Sequence, residues 1–152
     1  VTAANASTIN DGASALVLAS EQAVKKYGLK PVAEILSYAD AAQDPAWFTT
    51  APSKAAPIAV ERAGLTLNDI DLFEVNEAFA SQYIACEREL KLNRDITNIN
   101  DSGIGLCHPV GATGARIMVT LMYAMKHHGK SLGLATLCGG GGVSMACAIE
   151  MV

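Results

Sequence analysis

The stretch from residue 112 to residue 126 constrains the fold most, because it predicts a helix with almost no polar face. Gly129 marks its end. Its apolar side chains are Ala115, Ile117, Met118, Val119, Leu121, Met122, Tyr123, Ala124 and Met125. Such a helix must be covered on nearly every side. A domain of 152 residues has little material for this, so we expect a covering layer that the chain itself does not supply.

The rest of the chain alternates apolar runs with helical segments. Ser20 and Gly28 delimit one helix, another begins near Ser53 and Pro57, and Asn76 is the expected N-cap of a third, 77–90. We predict strands at 13–19, 32–39, 71–75, 132–137 and 143–151. This order predicts one α/β domain, 1–152, with a mostly parallel mixed five-stranded sheet flanked by helices. The final strand, antiparallel to its predecessor, is expected to close the sheet.

Composition excludes several classes of partner. The net charge is −4 and no basic run exceeds Lys25-Lys26, which argues against nucleic acid and anionic membranes. No apolar run approaches the roughly 20 residues of a membrane span. Four cysteines without CxxC pairs favour a reducing compartment, and we expect a cytoplasmic protein. Because the chain begins at Val1 in a loop-like segment, we also expect it to be the middle of something longer.

Three short motifs place one polar or reactive side chain each among small residues. They are Asn76-Glu77-Ala78-Phe79-Ala80, Gly105-Leu106-Cys107-His108-Pro109-Val110-Gly111-Ala112-Thr113-Gly114 and Leu137-Cys138-Gly139-Gly140-Gly141-Gly142. Small residues let a substrate approach both backbone and side chain.

Each motif has an ordinary and a functional interpretation. Asn76 is either a helix N-cap or a ligand-binding group at the carboxyl end of a strand. His108 is either structural or a proton-exchanging imidazole. Cys138 is either a buried cysteine or a thiol beside bare backbone N–H groups that bind an oxyanion and lower the thiol pKa. A metal bound by Cys107, His108 and Cys138 is a further alternative.

Two nucleotide-binding interpretations fail. Gly139–Gly142 lacks the GK[ST] of a P-loop. The string 111–114 lacks the third glycine, the preceding strand and the acidic ribose partner of a dinucleotide loop. We therefore expect no nicotinamide cofactor.

Together the three motifs, in this order, resemble those of the thiolases, the acetyl-CoA acetyltransferases and 3-ketoacyl-CoA thiolases. The opening 1–7 and Asn10-Asp11-Gly12-Ala13 also resemble the start of that family's C-terminal half. The resemblance implies a thiolase-like fold in which two similar α/β halves pack together, this chain being the second. It also implies that the family's nucleophilic cysteine lies in the N-terminal half and is absent here.

The resemblance implies a role for each site residue in acetyl transfer that forms or cleaves acetoacetyl-CoA. The match to His108 is the general base for the nucleophilic thiol and, with a water held by the match to Asn76, stabilises a thioester oxyanion. The match to Cys138 moves the proton at the substrate α-carbon. The N–H of the match to Gly140 contributes to a second oxyanion hole, and the pantetheine arm or acyl pocket is near the matches to Ser7, Ala78 and Phe79.

The resemblance further implies coenzyme A thioesters as substrates, no metal or other cofactor, and a homodimer or homotetramer in the full enzyme. The chain departs from the family at Asp101-Ser102, Cys107 and Ser144, where glycine is usual. A non-catalytic thiolase-like module that binds acyl-CoA or a partner is the alternative. A ketoacyl synthase is a weaker one, because a second histidine would stand where Cys138 does.

Overall fold

The computed structural model describes residues 1–152 and contains four α-helices and four β-strands. The helices are α1 (Glu21–Tyr27), α2 (Pro52–Arg62), α3 (Ala80–Leu90) and α4 (Thr113–His128). The strands are β1 (Ala33–Ala42), β2 (Leu72–Val75), β3 (Leu132–Cys138) and β4 (Val143–Met151). Short 3₁₀ turns lie at Pro45–Thr50, Leu67–Asp69 and Arg94–Ile96. None of the helices combines the length and the apolarity needed to cross a bilayer.

The strands form one mixed sheet in the order β1-β4-β3-β2. Three strands run the same way, but β4 lies between β1 and β3 and is antiparallel to both, so only β2 and β3 form a parallel pair. The α/β class and the antiparallel final pair are confirmed. The five-strand count is wrong, and β4 is inserted into the sheet instead of closing it.

The predicted strand that is missing is 13–19. Residues 10–19 form no backbone hydrogen bonds, and Val17 is 94% exposed. An apolar run becomes a strand only where another strand can pair with it. No partner for this run lies within the chain.

The predicted helix ends agree with the structure better than the predicted strands do. In α1, Ser20 Oγ accepts a hydrogen bond from the Ala23 N–H, and Gly28 ends the helix with φ +60°. Helix α2 ends two residues before its positive-φ glycine, Gly64, and α4 ends at Gly129 as expected.

Helices α2 and α4 cover opposite faces of the sheet. Under α2 pack Ala39, Phe73, Val75, Leu134, Ala146 and Ala148, and under α4 pack Leu72, Ala135 and Ile149. Because α4 lies over β2 and β3, the same face of β1 and β4 stays open. Its exposed apolar side chains are Ile35, Tyr38, Val143 and Met145. The expected lack of cover was placed at α4, on whose outer side Tyr123 is 68% exposed, whereas the open face of β1 and β4 was not predicted.

Candidate active site

Asn76 is fully buried directly after β2, but it does not cap α3. Helix α3 begins at Ala80, and its N-cap residue Phe79 makes no side-chain capping bond. The N–H of Glu77 instead donates to Ser102 Oγ at 2.9 Å. Because Ser102, on another segment, accepts from the Glu77 N–H, the helix starts later than predicted. The side chain of Asn76 is then available for another role.

The side chain of Asn76 contacts two other elements. Its Nδ2 lies 3.4 Å from His108 Nε2, and its Oδ1 accepts from Arg116 Nη2 at 3.5 Å. A guanidinium only donates, so the amide oxygen faces Arg116 and the amide NH₂ faces His108. Two of the three motifs are thus in contact, as the sequence predicted.

The hydrogen bonds around His108 define its tautomer. Thr113, the first residue of α4, donates its hydroxyl proton to the Pro109 carbonyl at 3.0 Å. Its oxygen lies 2.6 Å from His108 Nδ1, so Nδ1 carries the proton that Thr113 accepts. The lone pair of Nε2 therefore faces the amide NH₂ of Asn76. An imidazole held this way is ready to accept a proton at Nε2.

The surroundings of His108 also favour its neutral form. Partial burial lowers the pKa of His108, and the positive charge of Arg116 lowers it further. A base with a lowered pKa stays unprotonated at neutral pH, which suits it to remove a proton from a thiol.

Cys138 ends β3 at the same edge of the sheet as Asn76. Strands β2 and β3 are parallel with Val75 opposite Thr136, and the Asn76 N–H donates to the Thr136 carbonyl at 3.0 Å. Burial raises the pKa of the Cys138 thiol. Of the two interpretations of Cys138, burial dominates its pKa, because desolvation raises the thiol pKa more than the hydrogen bond from its own backbone N–H lowers it.

The glycine turn after Cys138 is anchored at its sides and open at its centre. The Gly139 N–H donates to the Val143 carbonyl at 2.7 Å. At Gly142, φ is +98° and a Cβ would lie 2.2 Å from the Gln43 carbonyl oxygen, so glycine is required. Gly140 is exposed, and its N–H donates to no acceptor in the chain. This free amide is the expected property of an oxyanion donor.

The predicted substrate-binding residues are brought together by the N-terminal segment. The Ser7 N–H donates to the Ala78 carbonyl at 2.9 Å, and Ala6 forms an isolated bridge with Phe79. Ser7 and Phe79 are half-buried, whereas Ala78 is buried. A shallow cavity of about 380 Å³ lies between residues 10–14 and 109–112, and none of these three residues lines it. Neither His108 nor Cys138 lines it.

Metal binding finds no support in the side-chain geometry. No group of three or more His, Cys, Asp or Glu side chains is arranged so that it could hold a metal ion, including Cys107, His108 and Cys138.

Sequence reasoning missed Thr113, Arg116, Glu74 and Ser102. Arg116 and Glu74 were detectable, because each is a lone charge within an apolar helix or strand. Thr113 and Ser102 carried no such signal. Their roles depend on which carbonyls and amides the fold places beside them.

Two departures from the expected glycines occur where the backbone favours glycine. Asp101 has φ +72° and Cys107 has φ +78°, both in the left-handed region that strains a residue with a Cβ. Ser144, in contrast, fits in a strand and donates from Oγ to the Leu137 carbonyl at 2.8 Å.

Comparison with known proteins gives consistent results. The family described as "Thiolase, C-terminal domain" matches residues 29–151. The acetyl-CoA acetyltransferase of Escherichia coli is 51% identical over 150 residues, covering 99% of this chain and 38% of that protein. The crystal structure of the Bacillus anthracis acetyl-CoA acetyltransferase has a TM-score of 0.97 at 48% identity, covering 100% of this chain and 39% of that one. Human mitochondrial 3-ketoacyl-CoA thiolase in complex with CoA has a TM-score of 0.92 at 38% identity, with the same coverage.

Proposed function

Because this chain belongs to the thiolase family, we propose that it is the C-terminal catalytic half of an acetyl-CoA C-acetyltransferase. The full enzyme forms or cleaves acetoacetyl-CoA, a 3-ketoacyl-CoA, by Claisen-type acyl transfer. The observation that carries the proposal is the contact of Asn76 Nδ2 with His108 Nε2, together with the tautomer that Thr113 imposes on the imidazole. The chain spans only 36–39% of the length of the relatives it matches, so the remaining parts of the site are proposed to come from the rest of such a protein.

In the proposed reaction, His108 Nε2 removes the proton from a nucleophilic cysteine of the N-terminal half. That thiolate attacks the thioester carbonyl, and a water held by Asn76 stabilises the oxyanion together with the protonated imidazole. The tetrahedral intermediate then breaks its C–S bond to coenzyme A, which leaves with the proton from His108, and the acetyl group is held as a thioester on the N-terminal half.

Cys138 and Gly140 serve the second half-reaction. In condensation the Cys138 thiolate removes the α-proton of the second acetyl-CoA, the resulting carbanion attacks the acetyl thioester, and the nucleophilic cysteine leaves as a thiolate that takes up a proton. In cleavage the Cys138 thiol protonates the departing enolate of acetyl-CoA. A thiol that burial keeps protonated is suited to the cleavage step. The free N–H of Gly140, with an amide of the N-terminal half, donates to the oxygen that becomes negative.

The N-terminal half is the proposed partner for the open apolar face of β1 and β4. Four exposed apolar side chains on one face exceed what scattered surface residues explain. Packing against that face would cover the outer side of α4 and offer a strand partner to 13–19. Ser7, Ala78 and Phe79 are proposed to contact the pantetheine arm or the acyl group.

We also propose the cofactor requirement, the assembly and the compartment of the full enzyme. The steps are acyl and proton transfers between coenzyme A thioesters, so they require neither a metal nor a redox cofactor. The full enzyme is a cytoplasmic homodimer or homotetramer of fatty acid metabolism.

The test is a reconstituted assay with acetoacetyl-CoA and coenzyme A, with and without the N-terminal half. Turnover should require both halves. His108→Ala and Cys138→Ala should each reduce kcat by roughly 100-fold or more, the usual size of an acid–base contribution. Near-normal rates in both variants would contradict the assigned roles.

A non-catalytic acyl-CoA or partner-binding module is the second candidate. Asp101 and Cys107 favour it, because their strained backbone lies in the histidine loop itself. A complex with the N-terminal half that binds acetyl-CoA but shows no turnover would support this alternative.

A further inference from the structure

Two ionisable side chains next to the candidate active site contain buried polar atoms without hydrogen-bond partners. Glu74 belongs to β2 and is 2% exposed, while Arg116 belongs to α4 and is half-buried. Glu74 Oε2 and the Nε and Nη1 atoms of Arg116 are buried and hydrogen-bond to nothing. Buried charged atoms without partners are unfavourable, so their presence requires an explanation.

The two side chains are electrostatically coupled to each other. Burial raises the pKa of Glu74 to about 8, and the charge of Arg116 opposes this shift. Burial also lowers the pKa of Arg116, and Glu74 opposes that shift in turn. With a pKa of about 8 the Glu74 carboxyl is largely uncharged at neutral pH, whereas the Arg116 guanidinium stays charged.

The hydrogen bond that the Arg116 guanidinium donates connects it to the candidate active site. Arg116 Nη2 donates to Asn76 Oδ1, and the same amide presents its NH₂ to His108 Nε2. Without a donor at its oxygen, the Asn76 amide could turn over and present its oxygen to the imidazole instead. It would then favour the tautomer protonated at Nε2, which cannot act as a base there.

We infer that Arg116 is a positioning residue for the acid–base centre: its hydrogen bond to Asn76 Oδ1 fixes the orientation of the amide that faces His108 Nε2. Arg116 does not need to contact substrate. The consequence for catalysis rests on the proposed function, whereas the effect on His108 itself does not.

Arg116 is also the charged residue that lowers the pKa of His108. Titratable side chains in the neighbouring segments are Asp11, Glu77, Asp101, Cys107 and Cys138. Of the charged groups, Arg116 alone shifts the pKa of His108, in addition to burial. A variant that removes this charge should raise the pKa of His108, and a variant that keeps it should not.

The experiment is NMR of the full chain with ¹⁵N-labelled histidine, which reports both the pKa and the tautomer of each imidazole. The chain has only three histidines, and His108→Gln assigns the relevant signal. The variants are Arg116→Met, the charge-conserving Arg116→Lys and the isosteric Glu74→Gln. Lys126→Met is the matched control, because Lys126 is an exposed cation on the same helix.

Arg116→Met should raise the pKa of His108 by about half a unit or more and should populate the tautomer protonated at Nε2. Arg116→Lys should keep the wild-type pKa, and Glu74→Gln should not raise it. If a substitution merely loosened the site and exposed the imidazole, the pKa of His108 would rise in both Arg116→Met and Glu74→Gln. If Arg116→Met does not fold, Arg116→Gln replaces it with the same expected rise in pKa.

An unchanged pKa and tautomer in the neutral Arg116 variant would overturn the inference, as would an equal change in Lys126→Met. Because the readout is independent of turnover, an inactive enzyme would contradict the proposed function without affecting this result.

Discussion

His108 acquires its basic form from two neighbours on different elements. Thr113 accepts the Nδ1 proton because the Pro109 carbonyl takes the hydroxyl proton, and Asn76 faces Nε2. The sequence indicated that His108 and Asn76 share a site. It did not indicate Thr113, since a threonine at a helix start resembles an ordinary capping residue.

Thr113→Val should therefore impair the base while leaving the buried volume nearly unchanged. We expect kcat of the reconstituted enzyme to fall about tenfold or more, the usual effect of losing the group that orients a histidine. Thr113→Ser, which keeps the hydroxyl, is the control and should retain most of the activity. Equal loss in both variants would show that the methyl group matters, and not the hydrogen bond.

Cys107 offers a test of backbone strain in the histidine loop. Its φ of +78° is unfavourable for a residue with a Cβ, and its side chain is exposed, so Cys107→Gly loses little packing. The free energy of unfolding should rise by roughly 0.5–1 kcal/mol in urea titration, after the greater entropy of glycine in the unfolded chain is offset. Cys107→Ala keeps the strain and should change stability little. A destabilised glycine variant would contradict this account.

The turn between β3 and β4 contains one glycine that the backbone requires, Gly142, and one that is proposed to bind an oxyanion, Gly140. Gly142→Ala places a Cβ against the Gln43 carbonyl oxygen at positive φ, and should lower the free energy of unfolding by about 2 kcal/mol or more. Gly140→Ala is the matched control, because a Cβ there meets nothing within 4 Å. Thermal unfolding of both variants measures the difference, and equal destabilisation would show that the turn is not anchored as described.

Elements whose signals are local were predictable from the sequence, and elements that depend on distant partners were not. Helix α1 carries its own Ser20 cap and Gly28 stop, so its bounds were predicted correctly. The run 13–19 has the composition of a strand but no partner within the chain. Asn76 has the identity of an N-cap, but its side-chain oxygen accepts from Arg116 instead of a helix N–H. The insertion of β4 between β1 and β3 could not be predicted from the sequence either, because the order of strands in a sheet leaves no local sequence pattern.

The molecule as a whole presents a site with one side open. The motifs of residues 76–80, 105–114 and 137–142 are held by the carboxyl ends of β2 and β3 and by the start of α4. The open face of β1 and β4 carries Tyr38, Val143 and Met145. The sequence predicted missing cover for α4 and not for this face. Both features support the proposal that a further half packs against this chain.

The most direct test is the intact mass of each half after incubation with acetyl-CoA. We predict that an acetyl group is bound by the N-terminal half alone, that it appears only when this chain is present, and that His108→Ala in this chain prevents it. Acetylation of any of the four cysteines of this chain, or of the N-terminal half in its absence, would contradict the account.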